Sequence, residues 1–149
     1  MDTVTRQPQI MKSVPRSAFD ETLGMIYFAR MLNKIRLHAD DNLREDFQDN
    51  LGKGMDDWCV KFLRVDYGLL KERVLLGGTD EEILRWCFSM GRDLSPDDIA
   101  IWNAFLGKRG WRDVVTETLA RRKKEAGLEH RDDIQTMPDY FEVDEGRKP

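Results

Sequence analysis

The sequence predicts an all-α fold, a single compact domain of six to seven helices with a docked C-terminal tail. Three observations lead there. A capped-helix motif occurs twice, sixteen residues apart: Thr79-Asp80-Glu81-Glu82-Ile83 runs through Trp86 to Gly91, and Ser95-Pro96-Asp97-Asp98-Ile99 runs through Trp102 to Gly107. Each copy opens on a hydroxyl residue suited to an N-cap, places acids in the first turn and ends on a glycine suited to the left-handed C′ position. No segment alternates with period two over six residues, so strand content is expected near nil. Charged residues make up 35% and apolar residues 40% of 149, a balance typical of a helical globular chain.

Residues 1–14 read as a flexible lead, docked through Ile10, Met11 and Val14. The helical domain spans 15–127. Pro15-Arg16-Ser17 starts a first helix, with Ser17 or Asp20 as cap, that reaches His38. Leu23, Met25, Ile26, Tyr27, Phe28, Met31, Leu32 and Ile35 make its first half apolar nearly all round, which predicts a central, buried helix. Gly24 costs helix propensity there and points to a close approach by another backbone or a ligand. A short helix is predicted over 43–51 and stops at Gly52-Lys53-Gly54. A third, capped near Asp56, carries Trp58, Cys59, Phe62 and Leu63 inward. Asp66 caps a fourth over 67–76, and the two matched helices follow as a hairpin at 80–106. The last helix opens at Gly110-Trp111-Arg112-Asp113 and stops at Gly127. The tail, 128–149, is polar but holds Ile134, Met137, Tyr140, Phe141 and Val143, an apolar set that predicts docking onto the body.

Composition also narrows function. A net charge of −4 and a pI near 5.3 oppose an overall nucleic-acid footprint. The basic run Arg121-Arg122-Lys123-Lys124 lacks interleaved aromatics and reads as a solvated helix end. Leu23 to Leu32 is too short to span a bilayer, and the first residues show no signal pattern. The expectation is a cytoplasmic protein without nucleic-acid or membrane partners. Cys59 and Cys87 then read as reduced, packed side chains. Gly52-Lys53-Gly54 lacks the Walker spacing. His38 and His130 each begin His-x-Asp-Asp, but the spacing enforces no ligand set, and no metal or cofactor is assigned.

The chemistry concentrates on the first helix. Arg30, Lys34 and His38, spaced four and four, form one stripe on an otherwise apolar helix. Cations placed along a buried helix need an anion. Three sources are open: the tail acids Asp139, Glu142, Asp144 and Glu145; a small carboxylate or phosphate, for which Arg30 offers a bidentate fork; or a partner protein. Trp58, Trp86, Trp102 and Trp111, with Tyr27 and Phe105, are available as aromatic walls, although the matched spacing of Trp86 and Trp102 favours core roles. Asn103, mid-helix, either faces solvent or makes a specific hydrogen bond.

At Pro15-Arg16-Ser17, Gly24, Arg30-Met31-Leu32-Asn33-Lys34-Ile35-Arg36 and Asp144-Glu145-Gly146-Arg147 the chain resembles a family of small bacterial helical domains of unknown function. That family carries a Pro-Arg start, a helix reading Arg-x-x-Asp-Lys-x-Arg and an acidic end. This sequence departs at Asn33, where Asp is expected, and at Met25, where a second glycine is usual. The resemblance implies that Arg30, Lys34 and Arg36 act as a unit with Asp144, Glu145 and Arg147, and it supplies no mechanism. Two expectations follow. One is a site for a small anionic metabolite, bound by Arg30, Arg36, Tyr27, Trp102 and Asn103, with Lys34 or His38 as acid/base group if the site is catalytic. The other is a non-catalytic module that recognises a protein partner or a second copy of itself.

Overall fold

The apolar run after Pro15 folds as two elements rather than one. In the computed structural model, which describes residues 12–149, β1 (Glu21–Thr22) pairs antiparallel with β2 (Met25–Ile26), Glu21 opposite Ile26 and Thr22 opposite Met25. Leu23 and Gly24 turn the corner at φ 50° and 84°, both positive, as a tight two-residue hairpin requires. Tyr27, at φ 75°, breaks the strand and leads into α1 (Phe28–Ala39). The predicted helix, with Ser17 as its cap, therefore begins ten residues too early, since the cap position of α1 is Tyr27. A short run that is apolar all round fits a buried hairpin as well as a buried helix, and Gly24 is the residue that decides it. Ser17 caps no helix. Its hydroxyl accepts from the Phe19 amide (3.1 Å) and donates to Glu142 (2.8 Å).

The rest of α1 is central as expected. Phe28, Ala29, Met31, Leu32 and Ile35 are buried on it, together with Arg30 and Lys34. The chain continues through a 3-10 helix (Glu45–Asn50), α2 (Met55–Leu63), α3 (Tyr67–Leu75), α4 (Asp80–Met90), α5 (Pro96–Gly107), α6 (Thr116–Glu125) and α7 (Met137–Asp144). Among the described residues the architecture is thus mostly α-helical with one very small sheet. Ile10 and Met11 of the expected lead lie outside the described residues.

Capping was the most readable layer. Thr79 and Ser95 accept from the amides of Glu82 and Asp98 (both 3.1 Å), and those carboxylates return the bond, so both motifs are reciprocal capping boxes. Asp66 caps α3 through the Leu69 amide (3.0 Å). The ends of the motif behave differently from expectation. Gly107 is still inside α5, and Gly91 has φ −130°, so neither adopts the left-handed C′ conformation. Gly91 instead permits contact: a Cβ there would lie 2.2 Å from the Leu63 carbonyl oxygen and 2.5 Å from that of Arg64. Nor do the matched helices form a hairpin. α4 packs on α1, α3 and β1, while α5 packs on β2. Trp102 on α5 donates to the Ile26 carbonyl (2.9 Å).

Two segments shift for local reasons. Asp56 lies within α2 and points inward rather than capping it, and Trp58 is 46% exposed rather than buried. The last predicted helix begins at Thr116, because the Asp113 carboxylate accepts from the amides of Gly110 (2.9 Å) and Val115 (2.8 Å) and holds a turn in place of a helical start. Beyond it, Leu119, Ile134, Met137 and Tyr140 make a second apolar cluster. Lys123 of the basic run is not simply solvated, since its ammonium donates to the carbonyls of Arg131 (2.7 Å) and Ile134 (3.0 Å). α7, absent from the sequence reading, is capped by Thr136 with Asp139.

Candidate functional site

Burying α1 forces Arg30 and Lys34 to find counter-charges, and the fold supplies both. Arg30 makes a bidentate pair with Glu145 just past α7 (2.8 and 2.7 Å) and donates to the Arg16 carbonyl (3.0 Å). Its guanidinium lies 4.3 Å from the centre of the Phe141 ring. Arg147 joins the same cluster, contacting Glu145 and Glu142 and donating to the Pro15 carbonyl (3.0 Å). Lys34 pairs with Asp56 (2.8 Å), which also accepts from the Tyr27 hydroxyl (2.6 Å) and the Gly52 amide (3.0 Å). The Lys34 ammonium lies a further 3.3 Å from the Tyr27 oxygen. Burial pushes the Lys34 amine down from its usual value, against the opposing pull of Asp56. Burial pushes the Tyr27 phenol well up, and the Asp56 charge adds to it.

Tyr27, Arg30 and Lys34, but not their acidic partners, line a cavity of about 260 Å³ bounded by α1, the 3-10 helix, α2, α6 and α7. Five cationic side chains line it, Arg30, Lys34, Lys53, Arg109 and Arg122, and no acid does. Tyr27, Phe47, Trp58 and Phe141 give it aromatic surface, with Met55, Val115 and Met137 alongside. Arg109 follows α5, is 6% exposed, pairs with Asp113 (3.2 Å) and packs over the rings of Phe105 (4.8 Å) and Trp58 (5.4 Å). Among the described residues, two buried side-chain nitrogens have no hydrogen-bond partner, Nε of Arg30 and Nε of Arg109. Both arginines face this one cavity. A buried donor without a partner costs about 1–3 kcal/mol, and both of these nitrogens are closed off from solvent.

The expected site residues divide. Tyr27, Arg30 and Lys34 meet at the cavity. Arg36 points elsewhere, pairing with Asp80 at the start of α4 (2.5 Å), where Arg16 also pairs (3.2 Å). His38 is exposed in the last turn of α1. Asn103 holds the hairpin, accepting from the Ile26 amide (3.0 Å) and donating to the Gly24 carbonyl (2.8 Å). With Trp102, whose indole binds Ile26, it fastens α5 to β2. Sequence reasoning missed Asp56, which resembles a helix cap, Arg122, which sits in a run that resembles a solvated helix end, and Arg109, to which it gives no role. The only local trace of Arg122 is Thr118 four residues before it, giving α6 a polar stripe. Among the described residues no group of three or more His, Cys, Asp or Glu side chains is placed to hold a metal, and no helix is long and apolar enough to cross a membrane.

Residues 12–147 match the family described as Domain of unknown function (DUF5069), and the chain belongs to that family. A search of curated proteins gave no match.

Proposed function

We propose that this member of the family binds a small anionic metabolite in the cavity beside α1. The observation that carries the reading is the cavity's one-sided electrostatics: five cations and no acid on its walls. The internal pairs of Arg30 with Glu145, Lys34 with Asp56 and Arg109 with Asp113 account for three of those charges. They leave Lys53 and Arg122 without an ion pair among the described residues. Should the ligand be turned over, Lys34 is the acid/base group of the site, because its ammonium is disfavoured by burial and it lines the cavity.

A thermal-shift titration of the full chain with inorganic phosphate and acetate tests this. The expected result is a saturable rise in Tm, since binding stabilises in proportion to the logarithm of ligand over Kd. Arg122→Gln removes a charge-assisted donor and should weaken binding about tenfold or more. No saturable shift with either anion at about 10 mM, several-fold above a millimolar Kd, would remove the basis for the reading.

A protein partner or second copy is the other reading. Trp58, Ile101 and Phe105 are exposed hydrophobics around a second groove, between α2 and α5. Concentration-dependent association in light scattering, lost in Ile101→Asp, would support it.

A further inference from the structure

The cavity walls carry information about the body of the ligand as well as its charge. Thr118 and Arg122 stand four apart on α6, and Met137 and Phe141 stand four apart on α7, so one helix presents a polar stripe and its neighbour an apolar one. α6 and α7 pack against each other, which places the two stripes side by side. Across from them Phe47 of the 3-10 helix and Trp58 of α2 contribute ring faces. Two of the cavity's guanidinium groups already lie over rings: Arg30 over Phe141 (4.3 Å) and Phe47 (5.7 Å), and Arg109 over Trp58 (5.4 Å). The volume of about 260 Å³ falls just below the range of about 300–1,000 Å³ usual for drug-sized ligands. There is room for a small molecule with one ring rather than a nucleotide or an extended peptide.

A simple inorganic anion would satisfy the cations and leave the aromatic surface wet. An aliphatic acid would cover that surface without using its ring faces, on which planar groups stack or meet edge-on. We propose that the ligand is a single aromatic ring bearing a carboxylate or a phosphate, its anion held by Lys53 and Arg122 and its ring set among Phe47, Trp58 and Phe141. This rests on the anion-binding reading above and specifies its substrate class.

Titration calorimetry on the full chain with benzoate, phenyl phosphate, acetate, inorganic phosphate and hexanoate separates the two levels. Benzoate should bind at least about tenfold more tightly than acetate, and phenyl phosphate similarly more tightly than phosphate, from ring burial alone. Both aromatic probes should also bind more tightly than hexanoate, and which of the two is tighter identifies the anion. Trp58→Leu and Phe47→Leu, at positions that are not fully buried, should each reduce the ratio of benzoate to acetate affinity to about threefold or less. Equal affinity for benzoate and acetate, hexanoate matching benzoate, or a ratio unchanged in both variants would overturn the aromatic assignment while leaving anion binding intact. Failure of all five probes to bind would overturn both.

Discussion

Replacing Asp56 by Asn should unfold a large part of this protein's stability margin through a residue that no surface view reveals. Asp56 is fully buried and is the common acceptor for Lys34, the Tyr27 hydroxyl and the Gly52 amide. Asp56→Asn keeps the shape and removes the charge, stranding the Lys34 ammonium at 5% exposure. Breaking one partner of a buried pair costs about 3–5 kcal/mol. Lys34 has one escape, shedding its proton, which at pH 7 costs about 4–5 kcal/mol against an unfolded pKa near 10.4. Neither route is cheaper than the other, so a loss of about 3–5 kcal/mol is expected from a total of about 5–15. Urea unfolding of Asp56→Asn, Lys34→Met and the double variant provides the measurement. The double variant carries no charge at the site and should be more stable than Asp56→Asn alone. The pH dependence has a definite sign. Burial lowers the Lys34 pKa in the fold, so the unfolded chain binds more protons and stability from this group rises with pH up to about 10.4. Asp56 opposes that lowering, so its loss lowers the Lys34 pKa further, the variant gains more stability with rising pH than the wild type, and the Asp56→Asn deficit should shrink toward pH 10. A loss below about 1 kcal/mol, as for an exposed pair, or a double variant no better than the single one, would refute the reasoning.

Three further outcomes follow from the packing. Gly91→Ala, harmless on helix propensity, should cost at least about 2 kcal/mol, because its Cβ would enter the Leu63 and Arg64 carbonyl oxygens; chemical denaturation checks it. Asn103→Ala should cost about 1–3 kcal/mol by leaving the Ile26 amide and Gly24 carbonyl without their partner, with hydrogen exchange rising first at the Ile26 amide. Burial lifts the Cys87 thiol to about 12, above the unfolded value of about 8.5. Its contribution is complete below that unfolded value and is lost as pH rises from there toward the folded one, at up to about 1.4 kcal/mol per pH unit. Cys87→Ala should flatten the alkaline decline measured by denaturation between about pH 9 and 10.5, and an unchanged slope would contradict the assignment.

The legible parts of this fold were those whose cause is local. Thr79, Ser95 and Asp66 cap the helices they precede because a short oxygen side chain reaches its own first-turn amides whatever lies beyond. The central helix announced itself by apolar residues on nearly every side. The hairpin at 21–26 did not, since its two-residue strands are too short to show a period and its apolar content matches a helix equally well. At Gly91 the sequence favours handedness as the default explanation, while the approach of the Leu63 and Arg64 carbonyls is a fact of packing.

The site divides along the same line. The residue order carries the requirement, cations on a buried helix that must meet anions, and the acidic stretch near the C-terminus that partly meets it through Glu145. Which acid serves which cation, and that a cavity stays open in front of them, is settled by packing in three dimensions. Lys34 finds Asp56 twenty-two residues away (34 and 56), and Arg122 reaches the cavity from a basic run that reads as a solvated helix end. Covalent neighbours determine caps and turns, whereas the sum of charges around an enclosed space depends on side chains that meet only after the chain has folded.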